Sequence, residues 1–107
     1  MRPWLIVFEW LPANAMALFP FIVLKDKAKK NDVVLLNHEK IHLRQQLELL
    51  VFPFYVFYLL NYLVNLFRYK NHYQAYLNIS FEREAYQTEN DLYYLDKRKW
   101  WSWIGYL

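Results

Sequence analysis

Residues 33–50 read Val-Val-Leu-Leu-Asn-His-Glu-Lys-Ile-His-Leu-Arg-Gln-Gln-Leu-Glu-Leu-Leu. Leu36, Leu43, Leu47 and Leu50 recur at helical spacing and make one apolar face. Lys40, Arg44 and Glu48 stand four apart and would share a solvent-facing stripe. Asp32, just upstream, is placed to cap the first turn. The spacing therefore predicts a helix from Val33 to about Leu50, broken at Pro53, which has no N–H for the preceding turn. Within it lies His38-Glu39-Lys40-Ile41-His42, an HExxH sequence. On a helix, residues i and i+4 project from one face about a turn apart, so both imidazoles can grip one metal ion. Glu39 lies about 100° round the helix from His38 and can reach a water at an open position without coordinating. Two ligands, a general base and an open position are what metal-assisted hydrolysis requires.

Around this helix the chain reads as one domain, residues 1–107. Residues 4–11 are β-branched and aromatic and stop at Pro12. Residues 15–24 read as a second extended segment, which Pro20 confines to a sheet edge. A signal peptide competes for this region, with Arg2 as its basic start and Ala13-Asn14-Ala15 as its cleavage site, but Glu9 interrupts an already short apolar run. Residues 25–32 are a polar, basic connection. Residues 54–67 are apolar apart from Asn61 and Asn65, residues 68–73 form a polar joint, and a further helix is expected from about 74 to 90. A tail with Trp100, Trp101 and Trp103 closes the chain. The expected class is α+β, mainly α: a short N-terminal β-hairpin or edge strand followed by about three helices.

Composition narrows the function. The 107 residues are 57% hydrophobic and 21% aromatic, which excludes a disordered chain. With no Cys, disulfide scaffolds, Cys-ligated zinc ribbons and thiol catalysis are excluded. A lone glycine, Gly105, excludes phosphate-binding glycine loops. A net charge of +3 is too mild for a nucleic-acid footprint. The absence of Cys suits a reducing compartment, and the expected location is cytoplasmic.

A catalytic zinc wants a third protein ligand. Gln45 and Glu48 stand where a metzincin has its Gly and third His, so that arrangement fails. The better candidate lies in Phe81-Glu82-Arg83-Glu84-Ala85-Tyr86. Glu82 and Glu84 point about 200° apart on a helix, so only one can meet the metal. A hydrolytic site also needs a donor for a developing oxyanion; His72, Tyr73, Tyr76 and Tyr86 are the candidates.

HExxH on one helix followed by a Glu on a later one resembles the gluzincin metallopeptidases. In several gluzincin groups that Glu opens an E-x-x-A-D segment; Glu82-Arg83-Glu84-Ala85-Tyr86 matches it with Glu82 as ligand, leaving Glu84 as the alternative. In layout, residues 15 to 90 are similar to the minigluzincins, minimal metallopeptidase domains. The resemblance implies a zincin-like fold and one Zn²⁺ per chain on His38, His42 and Glu82. It also implies a peptide or protein substrate laid along the edge strand at 15–24, with Glu39 as the base. Tyr86 replaces the family's Asp, a group that helps orient a ligand His, so another residue must do that work. Two rival readings remain. One is a catalytically weak or inactive domain that binds a metal or a partner. The other is a membrane-associated protein anchored by Leu49–Phe67, nineteen residues without a charge, with basic segments 25–30 and 97–99 at the headgroups. A span there would put His42 and Glu82 on opposite sides of the bilayer, so it and the zinc site exclude each other.

Overall fold

A computed structural model describes residues 3–107. Three strands come first, β1 (Trp4–Val7), β2 (Ala15–Leu18) and β3 (Phe21–Leu24), then a 3-10 turn at Lys27–Asn31. Helices α1 (Val33–Glu48), α2 (Phe52–Tyr69), α3 (His72–Leu77), α4 (Ser80–Thr88) and α5 (Tyr94–Lys97) follow, and a second 3-10 turn, Ser102–Tyr106, ends the described chain. The mainly helical α+β class is thus as expected. The sheet is larger than a hairpin, because residues 15–24 are two strands rather than one. Phe19 and Pro20, with no β partner, form the turn between them. β3 is central, parallel to β1 and antiparallel to β2, so only β2 of this pair is an edge.

Helix α1 begins as its sequence dictates: the Asp32 carboxylate accepts from the Leu35 N–H at 3.0 Å. It ends at a joint in which Leu50 and Val51 both take positive φ, 59° and 68°. The Phe52 N–H donates back to Leu50 O at 2.9 Å, closing a tight turn around Val51. Pro53 then sits in the first turn of α2, where its missing N–H costs nothing. The two helices diverge by 111°. The chain folds back again at Lys70, and the helix expected at 74–90 is two pieces, α3 and α4, broken at Asn78–Ile79.

One core cluster joins the sheet to α1 through Ala17, Ile22, Leu24 and Leu43, with Leu36 packed against it. A second joins α2 and α4 through Phe54, Ile79 and Phe81, with Tyr58 and Trp103 against it. The face expected of α1 is only half right. Leu47 and Leu50 are exposed, and Glu48, expected in solvent, is buried. Among the described residues no single helix is long and apolar enough to cross a membrane; α1 and α2 together would be, but for the bend between them.

Candidate metal centre

Helix α1 brings His38 and His42 to one face, as their i, i+4 spacing requires, and α4 packs against that face. His38 Nε2 lies 3.2 Å from His42 Nε2, and Glu82 Oε1 lies 3.2 Å from the first and 2.9 Å from the second. All three residues are buried, and the group could hold a metal ion. Tetrahedral bonds of about 2.0–2.1 Å would separate their donor atoms by about 3.3 Å, close to what is seen.

The outer hydrogen bonds decide the tautomers. Gln45 Nε2 donates to Phe81 O at 3.1 Å and to Glu84 Oε1 at 2.9 Å, which fixes its carbonyl oxygen toward His42 Nδ1 at 2.8 Å. That oxygen can only accept, so His42 Nδ1 carries a proton. His38 Nδ1 likewise donates to Glu89 Oε2 at 2.9 Å. With both Nδ1 atoms committed as donors, both rings turn their Nε2 atoms toward one carboxylate oxygen. Three electron-rich atoms in one buried spot call for a cation. Without a metal, that cation is a proton. Burial alone would lower His42, but the Glu82 carboxylate beside it more than reverses this and raises it to about 9. Glu82 moves the opposite way: burial opposes its charge, yet the two imidazoles hold it well below the usual carboxylate range.

Glu39 is buried one residue from His38, and its carboxylate takes no hydrogen bond from a side chain among the described residues. Burial raises its pKa, against the lowering pull of His42 and His38. It lines a cleft of about 260 Å³ together with His38, His42, Glu82, Phe54, Tyr58 and Tyr76, and β2 forms one wall with Ala15, Ala17 and Leu18. Gln46 ties that wall to α1, accepting from Phe19 N and donating to Ala17 O, both at 2.8 Å. Tyr55 also donates to Ala17 O, at 3.2 Å, so this edge carbonyl is already doubly satisfied.

The other sequence candidates separate clearly. Tyr76 lines the cleft, and its hydroxyl meets that of Tyr86 at 2.8 Å. Tyr86, where the resemblance expects Asp, lies edge-on against the His38 ring with centroids 4.5 Å apart. The carboxylate on His38 comes from Glu89 instead, three residues further on. His72 is away from the site, paired with Tyr62 at 2.6 Å, and Tyr73 is exposed. Glu84, the alternative ligand, faces away from the histidines. Its oxygens take hydrogen bonds from Arg98, from Tyr94 at 2.6 Å and from Gln45. Arg98 bridges it to Glu48, reached at 2.6 and 3.1 Å, and all three side chains are fully shielded. Burial would raise Glu84, but the Arg98 and Tyr94 hydrogen bonds bring it below its ordinary value. Three participants lay outside the sequence reading, Glu89, Tyr58 and Gln45, the last marked there only as standing where a metzincin has Gly. The Tyr58 hydroxyl donates to Glu82 Oε2 at 2.7 Å and so aims its other oxygen at the histidines. Glu89 follows Glu82 by two helical turns, a spacing that places both on one face. Nothing local marks Tyr58 among ten tyrosines.

Comparison of the chain with protein-family models, curated proteins and solved structures finds no match.

Proposed function

We propose that this domain is a zinc-dependent peptide hydrolase of the gluzincin kind, with a zincin-like fold. One observation carries the reading: both histidines of the HExxH pair and Glu82 turn lone pairs on one point, beside a carboxylate that holds no ligand position. His38, His42 and Glu82 would hold the ion, and the nitrogen-rich donor set suits zinc. Zinc, when held there, lowers the pKa of a water and polarises a carbonyl. The chain supplies the rest. Glu39, raised by burial toward the range useful for proton transfer, takes the proton from the attacking water and delivers it to the leaving amine. The Tyr76 hydroxyl, steadied by Tyr86, is the donor in the cleft for the carbonyl oxygen that gains charge. Strand β2 flanks the cleft and offers an extended substrate a backbone edge, though not through Ala17 O.

The cleft is smaller than the roughly 300–1,000 Å³ of ordinary ligand sites, which favours as the second reading a domain that binds metal without turnover. Elemental analysis and a peptide-hydrolysis assay on the parent, Glu39→Gln and His42→Ala chains separate these. One zinc per chain with hydrolysis, activity lost but zinc kept in Glu39→Gln, and zinc lost in His42→Ala is the expected result. Zinc without hydrolysis in the parent selects the second reading, and no zinc after refilling at neutral pH overturns both.

A further inference from the structure

Helix α2 has its polarity reversed. At 100° per residue, the arc it turns to the protein carries Tyr58, Asn61, Tyr62, Asn65 and Tyr69. Their polar atoms are engaged there: Asn61 Oδ1 accepts from Ser80 N at 2.9 Å, Asn65 donates to Ala75 O at 3.1 Å, and the tyrosine hydroxyls meet Glu82, His72 and Arg83. The outward residues, from Tyr55 round to Phe57, span about 200° by the same period and are apolar almost throughout. Val56, Leu59, Leu60, Leu63, Val64 and Phe67 are between 42% and 87% exposed. A helix facing water has the opposite arrangement.

The apolar surface continues past the helix. A groove beside Phe57, Leu60 and Val64 is closed on its far side by Trp103 and Leu107. Trp101 extends the surface, with its ring 6.1 Å from that of Trp103. Charge follows the same boundary. No carboxylate side chain occurs from residue 49 to 81, whereas Arg68 and Lys70 stand exposed at the end of α2, and Lys99 beside the exposed Trp100. Apolar surface rimmed by Trp, Tyr and free cations is the composition that suits the headgroup boundary of an anionic bilayer.

We propose that the domain seats on an anionic lipid surface through the outward arc of α2, lying in the interface without crossing it. Crossing is opposed by the inner arc, sealed against α3 and α4, which carry Glu82, Arg83 and Glu84. A second copy packed helix to helix would cover a stripe about 100° wide and leave half of the arc wet. The arc borders the metal cleft at Tyr55, so a seated domain would hold the cleft beside the headgroups.

Flotation of the full chain with vesicles of equimolar phosphatidylglycerol and phosphatidylcholine tests this, beside protein without vesicles and with phosphatidylcholine alone. The parent chain should rise with the anionic vesicles, and less with the neutral ones. Leu63→Glu should cut the floated fraction by roughly tenfold or more while keeping the parent's far-ultraviolet circular dichroism. Because the chain has no Cys, Leu63→Cys can carry a single spin label, which keeps the test open should Leu63→Glu misfold. On vesicles the label should be more accessible to oxygen than to a water-soluble nickel chelate, and a label at Lys40→Cys should show the reverse. Overturning results are a parent chain that stays at the bottom, a folded Leu63→Glu chain that floats as well as the parent, or a label at 63 open to nickel. A detergent-free dimer that ignores vesicles and is broken by Leu63→Glu would instead give this face to a second copy.

Discussion

Glu82 and His42 predict a stability profile that separates the metal-free from the metal-loaded protein. In the metal-free chain the Glu82 carboxylate holds His42 protonated up to about pH 9, against 6.5 for an ordinary imidazole. A group whose folded pKa lies above its unfolded one stabilises fully below the unfolded value, and that contribution fades as pH rises through the folded value. At roughly 1.4 kcal/mol per pH unit, the interaction is worth about 3 kcal/mol, and the pair is buried enough to keep most of it. Urea unfolding in the presence of a chelator should therefore show the parent losing about 3 kcal/mol between pH 6.5 and 9. In Glu82→Gln the main opposing carboxylate is gone, leaving only Glu39 and the Gln45 hydrogen bond against burial, so the decline should shrink sharply. A zinc ion held by His42 would take the place of the proton on its Nε2. The loaded protein should thus escape the decline, and binding in this window should release one proton per ion. A decline of equal size in Glu82→Gln, or no decline in the parent, would refute the reasoning.

Two further predictions concern the groups behind the ligands. Glu89→Gln keeps an acceptor near His38 Nδ1 but removes its charge, so zinc affinity measured against a competing chelator should fall about 10- to 100-fold. Arg98→Ala leaves Glu48 and Glu84 buried without their shared cation and should cost about 3–5 kcal/mol. That loss is read as a midpoint at least about 10 °C lower in thermal denaturation.

Local chemistry made much of this legible. The Asp32 cap and the facing pair His38 and His42 each follow from one residue type acting within a turn of helix, whereas the break expected at Pro53 falls earlier, at Leu50 and Val51, and Pro53 sits in the first turn of α2. What the sequence hid was set by distant partners. Glu48 sits on a stripe with Lys40 and Arg44 that should face water, but Arg98, fifty residues later, draws it inside. Leu47 and Leu50 satisfy a helical period yet stay exposed, because the chain bends away at Val51 before α2 could cover them. Pro20 is consistent with a sheet edge, but in the chain it marks the turn at Phe19–Pro20 that splits 15–24 into two strands. In α2 the uncharged apolar run suggests a membrane anchor. The pattern to read was the placement of Asn61 and Asn65, which lie on the side that faces the protein.

The choice between Glu82 and Glu84 shows why both carboxylates are needed. They lie on roughly opposite sides of α4, and each side is claimed: the histidines take one, Arg98 and Tyr94 the other. Gln45 joins the two, holding His42 through its oxygen and Glu84 and Phe81 through its nitrogen. Helix α4 is only nine residues long, too short to be stable alone, so its position depends on these contacts. The line from His42 through Gln45, Glu84 and Arg98 reaches Glu48 near the end of α1, which also accepts from the Trp101 backbone N–H at 2.9 Å. The middle of α1 thereby grips α4 through His38, His42 and Glu82, and its C-terminal end grips α4 and the C-terminal segment through Arg98. Residues 98–103, far from the HExxH sequence, are on this argument part of what holds Glu82 at the site.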